Sequence, residues 1–134
     1  MKANELRIGN LIGCDIQTLI VKAVNDETVI CHTMGGKPYT LYFEDVYGLK
    51  LTEEWLLKFG FEKIDKEFQV TYAINVEDEC EEVFMPSKLY LGLYGQYCIG
   101  IPYESGGGKS KILYVHQLQN LYFALTGEEL TLQQ

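Results

Sequence analysis

Four or five short apolar runs, each closed by a tight turn, fall within the first fifty residues, and that spacing restricts the fold more than any other feature. Residues 5–12 alternate, with Leu6, Ile8 and Ile12 on one face and Arg7 opposite, and Gly9-Asn10 interrupts them as a turn or bulge. Residues 17–24 form a β-branched run, and Asn25-Asp26-Glu27 turns it into 28–33, the pattern of a hairpin. Gly35-Gly36-Lys37-Pro38 makes a second turn, after which Tyr39, Leu41 and Phe43 alternate with Thr40, Tyr42 and Glu44. Strands this short, with turns this tight, predict a curled β-meander such as a small SH3-like barrel.

The second half opens on a helix whose boundaries are written in the sequence. Thr52 is a good N-cap, Glu53 and Glu54 place negative charge on the positive end of the helix dipole, and Leu51 and Leu56 occupy hydrophobic-staple positions. Gly60 supplies a left-handed C′ residue, and Phe61 can pack back on Leu56. A helix over 53–59 is two turns long, so burial of Trp55, Leu56 and Phe59 must hold it. Residues 68–75 form an amphipathic strand, and five acids in 77–82 read as a solvated loop or strand edge. Segments 88–94 and 97–102 flank Gly95-Gln96, a two-residue link suited to a type II′ turn. That link pairs Tyr94 with Tyr97 and Tyr90 with Ile101. Both faces of this hairpin are apolar, which predicts a cover on each side. One cover is a C-terminal helix over 116–126, with a stripe of Leu118, Leu121, Tyr122 and Leu125 and a stop at Gly127.

The predicted fold class is therefore α+β, mainly β. It comprises a meander or small-barrel lobe over 1–50, then an α+β lobe over 51–134 with antiparallel strands across about 61–115. The lobes are either separate or share one core. A chain of 134 residues with 47% apolar and 22% charged side chains buries a sizeable core without staples.

Net charge is −8, and the acidic excess lies in residues 51–134, with six basic against thirteen acidic side chains. Phosphate neutralisation needs the opposite balance, so nucleic acid is not the expected partner. The cysteines Cys14, Cys31, Cys80 and Cys98 are widely spaced without a C-x-x-C pair, as structural thiols in a reducing compartment are. The start Met1-Lys2-Ala3-Asn4-Glu5 carries no apolar leader pattern, and no run approaches membrane length, so the expected setting is the cytoplasm.

Three stretches, Ala3-Asn4-Glu5-Leu6-Arg7-Ile8-Gly9-Asn10, Leu51 to Phe61 (LTEEWLLKFGF) and Tyr114 to Leu130 (YVHQLQNLYFALTGEEL), together resemble a group of short uncharacterised proteins of gut anaerobic bacteria and of their phages and mobile elements. The resemblance implies cytoplasmic expression and a mobile-element origin. It brings no activity with it, and it does not reach the middle region, about 65–112.

Chemistry-bearing patterns are few. Gly108-Lys109-Ser110 matches the end of a phosphate-binding loop, but Tyr103 stands where the pattern requires glycine, and 111–115 reads as a strand where the pattern requires a helix. Cys31 and His32 are adjacent in a strand and point to opposite faces. His116, near the start of the last helix, fits a surface or capping role. No paired Cys/His spacing suggests zinc, and neither Glu79, Glu81 and Glu82 nor Glu44 and Asp45 sit where one carboxylate would be desolvated. The expectation is no catalytic, metal or cofactor residue. The candidate interaction surface is Tyr90, Tyr94, Tyr97 and Tyr103, since rigid aromatics bring large contact area at low entropy cost. The function expected is a non-enzymatic cytoplasmic interaction module, a phage or mobile-element accessory that binds a protein partner or itself. The alternative is a small-ligand or nucleotide binder with a pocket between the lobes.

Overall fold

A computed structural model describes residues 1–15, 17–66, 69–75, 88–93, 97–99 and 111–133, with the backbone alone for 65, 66, 69, 75, 88–90, 92–93 and 97–99. The protein is α+β and mainly β. Contacts group the chain into two compact units, Met1–Lys50 with Tyr114–Ala124, and Leu51–Leu113 with Leu125–Gln134. This differs from the expected division into consecutive lobes, because most of the C-terminal helix groups with the first fifty residues.

The first unit holds strands β1 (Leu11–Cys14), β2 (Gln17–Val24), β3 (Thr28–Thr33), β4 (Pro38–Tyr42) and β5 (Tyr47–Gly48). They form one antiparallel sheet in the order β4-β3-β2-β1-β5. The β2–β3 register shifts between Val21 and Ala23, leaving Lys22 as the extra residue of a bulge, and bulges raise the local twist that curls a sheet. Leu6, Ile12, Leu19, Val21, Val29, Cys31 and Val46 form the core of this unit, with Tyr39, Leu41 and Phe43 packed at its margin. Strands β1 to β4 form the expected meander, and of the two alternatives the barrel is not realised, since the sheet is not closed. β5 is only two residues long, and β4 ends in a 3-10 turn at Phe43–Asp45, so little extended backbone remains for a closing ladder. The expected strand over 5–12 is also shorter. Ala3–Glu5 is a 3-10 turn, Gly9 takes a positive φ of 98°, and Ile8 is 65% exposed.

The second unit holds helix α1 (Glu53–Lys58) and strands β6 (Glu62–Lys66), β7 (Gln69–Asn75), β8 (Lys88–Leu93), β9 (Tyr97–Ile99) and β10 (Lys111–Ile112), again antiparallel, in the order β10-β9-β8-β7-β6. Helix α1 is built as its sequence dictates. The Thr52 hydroxyl accepts from the Trp55 N–H at 3.4 Å, and Leu56 and Phe59 are fully buried. At its end Gly60 has a φ of +94°, its N–H donates to Leu57 C=O at 3.1 Å, and the Phe61 N–H donates to Leu56 C=O at 3.0 Å. These two bonds make a Schellman motif. A Cβ at Gly60 would also lie 3.1 Å from Gln133 Cγ. Gly60→Ala is therefore expected to destabilise the protein by about 1–2 kcal/mol, with Gly60→Asn recovering part of that loss, as read from urea unfolding midpoints.

Between β8 and β9, Leu93 pairs with Tyr97, Gly92 with Cys98 and Leu91 with Ile99. The link is thus the three residues 94–96, and the register expected from a two-residue turn is displaced by one. Register is set by the contrast between faces, and this hairpin is apolar on both.

Helix α2 spans Val115–Thr126. Its buried residues are Val115, His116, Leu118 and Gln119, while Leu125 of the expected stripe is 57% exposed. Among the described residues no helix is long and apolar enough to cross a membrane.

Candidate functional site

Two places in the first unit bring polar and apolar groups together. One lies where α2 meets the turn before β1. Asn10, fully buried, accepts the Arg7 N–H at 2.7 Å and donates to Asn120 Oδ1 at 2.9 Å. Gln119, 3% exposed, accepts the Leu11 N–H at 2.8 Å and donates to the Gly9 C=O at 3.2 Å. Asn120 donates to the Glu5 C=O at 2.9 Å, and the Arg7 guanidinium lies 3.7 Å from the centre of the Phe123 ring. Every one of these bonds satisfies a backbone group or a partner amide that β pairing leaves over, which makes the network a clamp between helix and turn.

His116 belongs to the same region, and it corrects an expectation. It is 2% exposed rather than a surface residue, and its ring stacks on Tyr114 with centroids 5.7 Å apart. Among the described residues Nδ1 has no hydrogen-bond partner, and Nε2 stands 3.9 Å from a Glu5 carboxylate oxygen. Burial pushes the imidazole pKa below its usual value, the N-terminal amine adds to this, and Glu5 works against it. The unfolded chain therefore takes up the proton first, near pH 6.5. The stability that neutral His116 contributes is complete above that pH and is lost as pH falls from there through the folded pKa. The urea midpoint is expected to drop between pH 7 and 5, and to drop less in His116→Phe.

The other place is a recess of roughly 230 Å³ lined by Cys14, Asp15, Gln17, Leu19, Tyr39 and Leu41. Leu19 is buried in its floor, Tyr39 and Leu41 come from the inward face of β4, and Asp15 and Gln17 are exposed at the rim. Asp15 adopts a φ of +52°, and its C=O accepts the Tyr47 hydroxyl. Tyr47 packs over Gly13, where a Cβ would meet its ring, with Cζ at 2.8 Å. Burial first, then the charges of Asp15 and Asp45, raise the Cys14 thiol pKa. A thiol raised in this way stays protonated at neutral pH, the opposite of what a nucleophilic cysteine needs.

No family model matches the sequence, and neither a curated protein nor a solved structure matches it.

Among the described residues no strand pairs with the outer side of β4, which is an edge of its sheet. The Thr33 N–H donates to the Lys37 C=O at 2.9 Å, which fixes the alternation of the ladder. Tyr39 and Leu41 therefore bond inward to Cys31 and Val29, while Thr40 and the Tyr42 N–H point outward. Pro38, which has no N–H to offer, takes an outward position as edge prolines do. Thr40 and Tyr42 are exposed.

Of the expected surface, Tyr94 and Tyr103 lie outside the described residues, and Tyr90 and Tyr97 are described by backbone alone, in β8 and β9. The acidic run 77–82, the Gly-Gly-Gly-Lys-Ser segment and Cys80 also lie outside them. Among the described residues, no cluster of three or more His, Cys, Asp or Glu is placed to hold a metal ion. The recess was missed because its lining comes from three strands, and its signal in sequence is only a Cys-Asp turn and the Tyr39/Leu41 alternation.

Proposed function

We propose that this protein is a non-enzymatic interaction module of the cytoplasm that takes an extended segment of a partner protein along β4. The observation that carries the reading is the contrast among sheet edges. Natural proteins guard edges with charge, prolines, brevity or cover. β6 has four charged residues in five, Glu62, Lys63, Asp65 and Lys66, while β5 and β10 are two residues each. Just past β5, Lys50 bridges to Tyr114, and the Val115 N–H donates to the Leu49 C=O at 2.8 Å. β4 has five residues, no charge and, past Pro38, a row of donor and acceptor groups that nothing among the described residues pairs with. Beside it lies a recess with an apolar floor, which supports strand addition anchored by a side chain. At roughly 230 Å³ the recess is smaller than the ~300–1,000 Å³ that encloses drug-sized ligands.

A displayed library of random peptides, selected on the full chain and mapped by amide exchange, tests this. The expected result is a set of enriched peptides that slow exchange at Thr40 and Tyr42. Protection confined to other residues, or a thermal shift with nucleotides and none with peptides, would sink the reading.

A further inference from the structure

From the charge around the recess we infer that the segment β4 accepts is basic, carrying an apolar residue for the recess floor and a lysine or arginine two positions away for Asp15 and Asp45. This rests on the strand-addition reading and names the chemistry of the partner.

One exposed carboxylate lines this recess and a second follows the edge strand, and among the described residues neither meets a cation. Asp15 lines the recess, and Asp45 follows β4 in the 3-10 turn; both are exposed, and both act electrostatically on the Cys14 thiol that lines the same recess. Neither forms an ion pair among the described residues. Lys37, the residue before β4, lies over the ring of Tyr39 at 5.3 Å. Asp15 is held in place by its backbone, since the Tyr47 hydroxyl ties down its carbonyl at a positive φ.

The outward groups of Thr40 and Tyr42 supply the main-chain bonds that an added strand needs. Side chains on a strand return to the same face every second residue. A residue two positions from the recess anchor therefore shares its face, and the two carboxylates favour a cation there. Opposite charges across strands are favourable and like charges opposed are not. An acidic segment would meet Asp15 and Asp45 with repulsion.

The test uses two fluorescein-labelled heptapeptides on the full chain, Thr-Lys-Thr-Leu-Thr-Lys-Thr and the same sequence with glutamate for lysine. The lysine peptide is expected to bind at least tenfold tighter, with the difference shrinking in high salt and falling below twofold in Asp15→Asn/Asp45→Asn. Asparagine tolerates a positive φ, so that variant keeps the fold. N-methylating one alternate set of peptide amides should abolish binding and the other set should not, a readout that leaves the protein untouched. Equal binding of the two peptides overturns the basic assignment and leaves strand addition standing. Binding by neither also overturns it, and sedimentation then separates two cases. A dimer that Thr40→Pro converts to monomer assigns the edge to a second copy of this chain and keeps the interaction-module reading. A monomer removes both.

Discussion

Gln119→Leu is expected to lower stability by about 2–4 kcal/mol, even though it places an aliphatic side chain at a buried helix position. The amide of Gln119 accepts from the Leu11 N–H and donates to the Gly9 C=O. Leucine can do neither, so the buried Leu11 N–H at the start of β1 and the partly buried Gly9 C=O lose these partners. An unsatisfied buried group costs about 1–3 kcal/mol, which applies in full to the Leu11 N–H and in part to the Gly9 C=O. The control is Leu125→Gln on the same helix. Leu125 is 57% exposed, so the change should stay within about 0.5 kcal/mol. Hydropathy alone predicts the opposite order. Urea unfolding of the two variants decides it, and equal midpoints would mean that the Gln119 bonds contribute nothing net.

Gly48→Ala is the second large effect. Gly48 pairs with Ile12 at the β1–β5 ladder, and a Cβ there would lie 2.7 Å from Tyr114 Cγ and 2.9 Å from His116 Cε1. Tyr114 Cγ is bonded directly to its own Cβ, and the Tyr114 ring stacks on His116, which is itself buried, so neither ring can swing aside cheaply. Overpacking of this kind costs about 1–3 kcal/mol, and this site should lie toward the upper end. Tyr114→Ala opens the space, so the double variant Gly48→Ala/Tyr114→Ala should lose less than the sum of the two single losses. A coupling of about 1 kcal/mol or more in that cycle is expected, and additivity within a few tenths would place the strain elsewhere.

Where local chemistry was enough, the sequence could be read directly. Helix α1 carries its N-cap, staple positions and left-handed glycine within ten consecutive residues, and the cap and the glycine do in the structure what their types dictate. The turn at 25–27 and strands β2 to β4 followed from alternation and turn residues in the same way. Three features were not legible, for distinct reasons. The buried face of α2 is not legible because it includes His116 and Gln119, and polar residues become core only when distant partners bond or cover them. The β8–β9 register slipped because two apolar faces give no contrast to align. The recess is not legible because Cys14, Leu19 and Tyr39 come from three different strands and meet only in the folded sheet.

Sequence by itself determined the class of this protein, its turns, its capped helix and its acidic second half, since these depend on neighbours a few residues apart. Tertiary structure decided which edge stays open, which glutamine is core, and that residues 114–124 group with the first fifty. Each of those depends on groups tens of residues apart, whose contact no local pattern encodes.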